Sequence, residues 1–110
     1  MDEGNQLINV SMQIILNAGN ARNSASKAMV ALRDEQYQEA EVLLDEARDF
    51  IGKAHIAQTE VIQAEARGEK HEPTLLFTHA QDTLMTIMSE LNIYQTIFML
   101  FTAKANVNSR

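Results

Sequence analysis

His79 and Asp82 stand three residues apart within Thr78-His79-Ala80-Gln81-Asp82-Thr83. On a helix that spacing projects both side chains from one side. Neutral imidazole is nucleophilic near pH 7, and a phosphoryl group held on its nitrogen is readily released, so His79 is a candidate phosphoryl acceptor. Gln81 and Thr83 are near enough along the chain to hydrogen-bond a phosphate or to orient the ring. A structural hydrogen bond between a helical His and a nearby Asp is the commoner use of such a pair. Metal binding is a third reading, with His79 and Asp82 as two ligands, although no Glu-x-x-His pattern accompanies them. One carboxylate repeated about a symmetry axis could hold a hard cation, or the copies could share protons. Spacing alone leaves these readings open.

The remaining candidates are weaker. His55, in Ala54-His55-Ile56-Ala57-Gln58-Thr59, either lies near the same site or packs at an edge, and packing fits its spacing better. His71 sits beside Glu69 and Glu72 in a Gly/Pro connection and is expected to be solvated. There is no cysteine, which removes disulfides, thiolate nucleophiles and Cys-based metal sites. No nucleophile–base–orienter set is evident that would activate water, so a hydrolase is the least supported class. Six Met residues read as core and interface filler rather than as ligands.

The elements that must position these residues are helical. Leu7, Ile14, Ala18, Ala21, Ala25, Ala28 and Leu32 follow three-and-four spacing over about residues 4–32. Small residues from Ala18 to Ala28 invite close helix approach, and Gly19 among them is expected to mark close packing or a bend. Tyr37, Ala40, Leu44, Ala47, Ile51, Ala54 and Val61 form a second stripe over about 37–67, whose acidic residues mark a solvated face. Gly68 is suited to ending that helix and Pro73 to the first turn of the next.

The third segment, about 73–103, differs in kind. Its carboxylates are Asp82 and Glu90, and it has no Lys or Arg. Leu76, Ala80, Leu84, Ile87, Leu91, Tyr94, Phe98 and Phe101 make one stripe, and Met85, Met88 and Met99 spread the apolar surface around the cylinder. One bundle cannot cover so much of a helix, so the reading is an obligate oligomer built through helix three. The residual face, His79, Asp82, Thr86, Ser89, Ile93, Thr96 and Leu100, is mostly polar. Copies of the same residues around a symmetry axis would supply the partners such a face needs.

The expected architecture is therefore all-α: one domain over residues 1–110, an antiparallel up-down-up three-helix protomer that assembles through helix three. At 110 residues a second domain has little room. A net charge of -6 argues against nucleic acid and is compatible with basic protein partners. Asp2 and Glu3 stand where an export signal would be basic, and Leu91 to Ala103 is shorter than the about 20 residues a span requires. A soluble, cytoplasmic protein without membrane insertion is expected.

Three words lie in order, one per helix: Ala18-Gly19-Asn20-Ala21-Arg22-Asn23, Ala54-His55-Ile56-Ala57-Gln58-Thr59, and Thr78-His79-Ala80-Gln81-Asp82-Thr83-Leu84-Met85. From about Val10 to Lys104 the chain resembles the enzyme IIA component of the lactose/cellobiose (chitobiose) class of the bacterial phosphotransferase system. The resemblance implies a homotrimer with the third helices about a threefold axis. It implies that His79 takes a phosphoryl group from HPr and passes it to the cognate enzyme IIB. It places Asp82 at the subunit interface, where three copies can hold a structural cation such as Mg2+, and it implies no organic cofactor. In-line transfer then depends on positioning, with Gln81 a candidate phosphate hydrogen-bond donor. Two positions depart from the family words: Thr83 stands where a second His is usual, and Asn23 where Ser is usual. A helical adaptor whose His79 and Asp82 merely set register is the main alternative, and a phosphorylated regulatory paralogue is another.

Overall fold

The computed structural model describes residues 2–70, 72 and 74–108. Three helices make up the fold: α1 (Asp2–Arg33), α2 (Tyr37–Ala66) and α3 (Leu75–Asn108). They form an antiparallel up-down-up rod of 61 × 21 × 17 Å, and no strand occurs among the described residues. The expected bounds hold within two residues for α1 and α2, whereas α3 continues five residues past Ala103. Ala103, Lys104, Ala105 and Asn106 include neither Gly nor Pro to stop it. The expected readings of His71 and Pro73 fall outside the described residues.

All seven stripe residues of α1 are buried, as are six of the seven of α2, with Tyr37 half-buried. Ser11 joins the α1 stripe because its hydroxyl donates to the Leu7 carbonyl at 2.7 Å, which satisfies the donor inside the core. The seam between α1 and α2 is rich in alanine: Ala18, Ala21, Ala25 and Ala28 on one helix, Ala40, Ala47 and Ala54 on the other. Larger side chains, Ile14, Leu44, Leu84 and Ile87, fill the space where α3 lies against this pair. Gly19 departs from expectation. It is exposed, α1 runs on through it, and a Cβ built there meets nothing within 4 Å. It is no close-packing site inside the protomer.

The two connections use one device with different residues. Gly68 (φ 94) donates to the Glu65 carbonyl while Glu69 donates to that of Ala64, the paired bonds of a left-handed helix cap. The same pattern closes α1, with Glu35 donating to Leu32 and Gln36 to Ala31, but the left-handed residue is Glu35 (φ 60). A side chain there costs about 1 kcal/mol relative to glycine. Glu35→Gly is accordingly expected to raise stability by about 1 kcal/mol, read from denaturant midpoints at fixed protomer concentration. At the start of α3, Thr74 Oγ1 accepts the Phe77 N–H at 3.0 Å, an N-cap that fixes where the helix begins and hence where His79 sits.

Candidate phosphoryl-transfer site

His79 lies at the fifth helical position of α3, just past its first turn, and is exposed. The positive end of the helix dipole is therefore close to the imidazole and favours negative charge developing there. Asp82 is also exposed and lies three residues on, on the same side. Thr83 is half-buried, and its hydroxyl donates to the His79 carbonyl at 2.8 Å. That bond turns the hydroxyl towards the helix backbone, leaving its methyl group where a second imidazole is usual in the family words.

Gln81 is half-buried on the other flank of α3. At about 100° per residue, a two-residue step carries it about 200° around the helix from His79. The two side chains of one chain therefore diverge. His55 is not brought to His79 either. It is exposed on α2 and lines a groove of about 460 Å3 with Arg48, Gly52, Met88 and Gln95. Met88 is nine residues beyond His79, about 13 Å along the axis.

One pair was missed by reading each helix separately. Arg22 of α1 forms a bidentate ion pair with Glu90 of α3, with Nε to Oε1 at 3.0 Å and Nη2 to Oε2 at 2.7 Å. The side chains remain 48% and 34% exposed, so the pair contributes at most about 1 kcal/mol. The Glu90 hydrogen bond, outweighing partial desolvation, raises the Arg22 pKa. The pair also marks the α1/α3 register, which the shared core holds. The available signal was Glu90 itself, a carboxylate on an otherwise apolar helix.

That register decides what surrounds His79. His79 precedes Glu90 by eleven residues, and Ser11 precedes Arg22 by the same number, so the two are level. Ile8 and Ile15 fall two residue-sevens and one before Arg22, on the same edge of α1. Ile8 is 47% exposed and Met12 beside it 52%. The register thus brings this open apolar surface of α1 level with His79, while α3 supplies no Lys or Arg before Lys104. By length and composition α3 would also pass for a membrane span. Asp82 and Glu90, however, would each cost about 3 kcal/mol in hydrocarbon, and the face carrying His79 is polar.

A family model described as PTS system, Lactose/Cellobiose specific IIA subunit matches residues 9–102. The chain belongs to that family. A lichenan-specific phosphotransferase enzyme IIA component of Bacillus subtilis is 45% identical over 84% of each chain. The chitobiose-specific EIIA component of Escherichia coli is 35% identical over 78% of this chain and 74% of its own. Among solved structures, the cellobiose-specific enzyme IIA of Bacillus anthracis superposes with a TM-score of 0.82 at 37% identity, covering 89% of this chain and 90% of that one. The chitobiose IIA solved in complex with HPr gives 0.78 at 28% identity, covering 90% and 96%. The IIA chain described here shares the helical fold of these proteins, and its three words lie inside the matched span.

Proposed function

We propose that this IIA chain is a cytoplasmic phosphocarrier of sugar uptake, accepting a phosphoryl group on His79 from phospho-HPr and passing it to the cognate enzyme IIB. The observation that carries the reading is an exposed histidine near the positive end of α3 in a member of the IIA family. In the accepting step the donor's N–P bond breaks as a His79 ring nitrogen forms the new one through its lone pair. The second ring nitrogen keeps its proton until it is lost to solvent. Donation to enzyme IIB reverses these roles. Transfer between two nucleophiles asks mainly for alignment and for charge neutralisation. The helix dipole supplies part of that charge, and basic groups of the docking protein supply more, consistent with a chain of net charge -6.

The oligomer completes the site. Helix α3 leaves Met85 and Leu100 each 65% exposed, and both flank or occupy the line that begins at His79. Burial of this face among copies of α3, as a homotrimer, removes that apolar surface from water. In a cyclic assembly one flank of α3 meets the opposite flank of the next copy. Gln81, which diverges from its own His79, then faces the His79 of a neighbour and can donate an amide N–H to its phosphoryl oxygens. Mixing His79→Ala chains with Gln81→Ala chains tests this. Mixed assemblies should recover transfer to within about twofold of the level set by intact sites, whereas Gln81→Ala alone should lose about tenfold, roughly one charge-assisted hydrogen bond. No recovery on mixing would confine Gln81 to its own chain.

A cation fits the same assembly. No group of three His, Cys, Asp or Glu side chains that could hold a metal ion occurs among the described residues of one chain, and in this reading Asp82 holds it through copies from three chains. Mg2+ there would neutralise carboxylates brought together by assembly, a structural role. Asp82→Asn should then abolish any loss of assembly caused by a chelator, and in metal-free buffer should tighten association. Sedimentation with and without Mg2+ reads both.

A further inference from the structure

We infer that the cleft between the α1–α2 connection and α3 binds a small organic cation, an ammonium ion with apolar substituents, apart from the phosphoryl-transfer site. The cleft has a volume of about 620 Å3, within the range of small-molecule sites. Its lining concentrates the aromatic residues of a chain that has few. Both tyrosines, Tyr37 and Tyr94, line it together with Phe101. Met29, Leu32 and Ile97 supply apolar surface alongside them. The two tyrosines are half-buried and Phe101 is 52% exposed, so ring surface remains open to a ligand. Tyr94 lies fifteen residues beyond His79, about 22 Å along α3, so a ligand here does not touch the phosphoryl acceptor.

The charge at the cleft selects the ligand. Arg33 and Glu35 both contribute to the lining. Arg33 is committed, because its guanidinium donates to both carboxylate oxygens of Asp34, at 3.0 and 3.4 Å. Glu35 forms no ion pair among the described residues. Lys104, three residues beyond Phe101, is exposed and does not line the cleft. The uncompensated charge is therefore negative. It stands on a residue held in the left-handed conformation (φ 60), where the cap favours the glycine that closes α2. Backbone strain of this kind persists at ligand sites, and here glycine would relieve it only by removing the carboxylate. Aromatic rings attract a cation through their faces, and a carboxylate adds Coulomb attraction. An anion would be repelled by Glu35. A hydrated metal ion would need several oxygen ligands, whereas the cleft offers one carboxylate among apolar side chains. An ammonium ion with apolar substituents uses both features.

The chain has no Trp and both tyrosines line the cleft, so intrinsic tyrosine fluorescence reports on it without background. Benzyltrimethylammonium titrated into the full-length protein should change that emission saturably, with uncharged benzyl alcohol binding about tenfold more weakly. Glu35→Gln keeps a side chain in the left-handed position and removes the charge. It should weaken binding of the cation about fivefold and leave benzyl alcohol unchanged. Glu35→Gly should weaken the cation as much while the protein gains stability, which separates lost affinity from lost folding. His79→Ala should bind the cation as the wild type does. No saturable change, equal affinity for the two probes, or wild-type affinity in Glu35→Gln would each overturn the site. Loss of binding in His79→Ala would overturn its separation from the phosphoryl acceptor.

Discussion

His79→Ala should abolish onward phosphoryl transfer to enzyme IIB while leaving the protein folded and assembled. The imidazole is the covalent acceptor in this account, and alanine offers no nucleophile for a phosphoryl group to occupy. Because His79 is exposed and forms no ion pair among the described residues, its loss should change protomer stability by no more than about 0.5 kcal/mol. Circular dichroism and sedimentation should therefore match the wild type, and only transfer should disappear. A variant that retains measurable transfer would move the acceptor elsewhere. His55 is then the next residue to replace, since it is exposed on α2. Thr83→His is the informative companion. It exchanges the hydroxyl bonded to the His79 carbonyl for the imidazole usual in the family words, so any change in rate isolates what the second ring contributes.

The second large effect is structural. Leu84 is fully buried and lies five residues beyond His79, where α3 meets the other two helices. Leu84→Ala removes buried methyl groups from a core whose neighbours include many alanines, which cannot swing in to fill the space. The expected cost is about 4 kcal/mol, within the range for buried Leu-to-Ala changes. Against a total stability of about 5–15 kcal/mol, that unfolds a substantial fraction near the midpoint conditions of the wild type. Leu84→Met, which conserves volume, should cost less than about 1.5 kcal/mol. The folded fraction of either variant should still accept phosphate, because Leu84 takes no part in the chemistry. Urea unfolding at matched protomer concentration separates the two substitutions.

The core was readable because helical periodicity and burial are nearly the same information in a three-helix rod. The α1 stripe from Leu7 to Leu32 and the α2 stripe from Ala40 to Val61 are buried as their spacing required. Ser11 was missed because a scan for apolar residues passes over a hydroxyl that satisfies itself on the preceding turn. The end of α3 was missed for want of a stop signal. Gly19 was misassigned because a glycine among alanines looks like a contact point, whereas its direction around α1 points outward.

The site was legible as a word and less so as a geometry. Nearness in sequence placed Gln81 beside His79, yet the two-residue step sends it to the opposite flank. Which helix faces a given stripe is also beyond periodicity, so the Arg22–Glu90 pair and the α1/α3 register had to come from the folded chain. The exposed apolar surface of α3, in contrast, was evident from composition alone. A helix carrying Met85, Ile93, Met99 and Leu100 outside its core stripe has more to bury than two neighbours can cover.

The most direct test of the carrier role is intact-mass analysis of the wild-type chain after incubation with phosphoenolpyruvate, enzyme I and HPr. One phosphoryl group per chain is expected, labile in acid and stable in base, mapping to His79. An unmodified chain, in a reaction where HPr itself is phosphorylated, would contradict it and leave the helical adaptor as the better description.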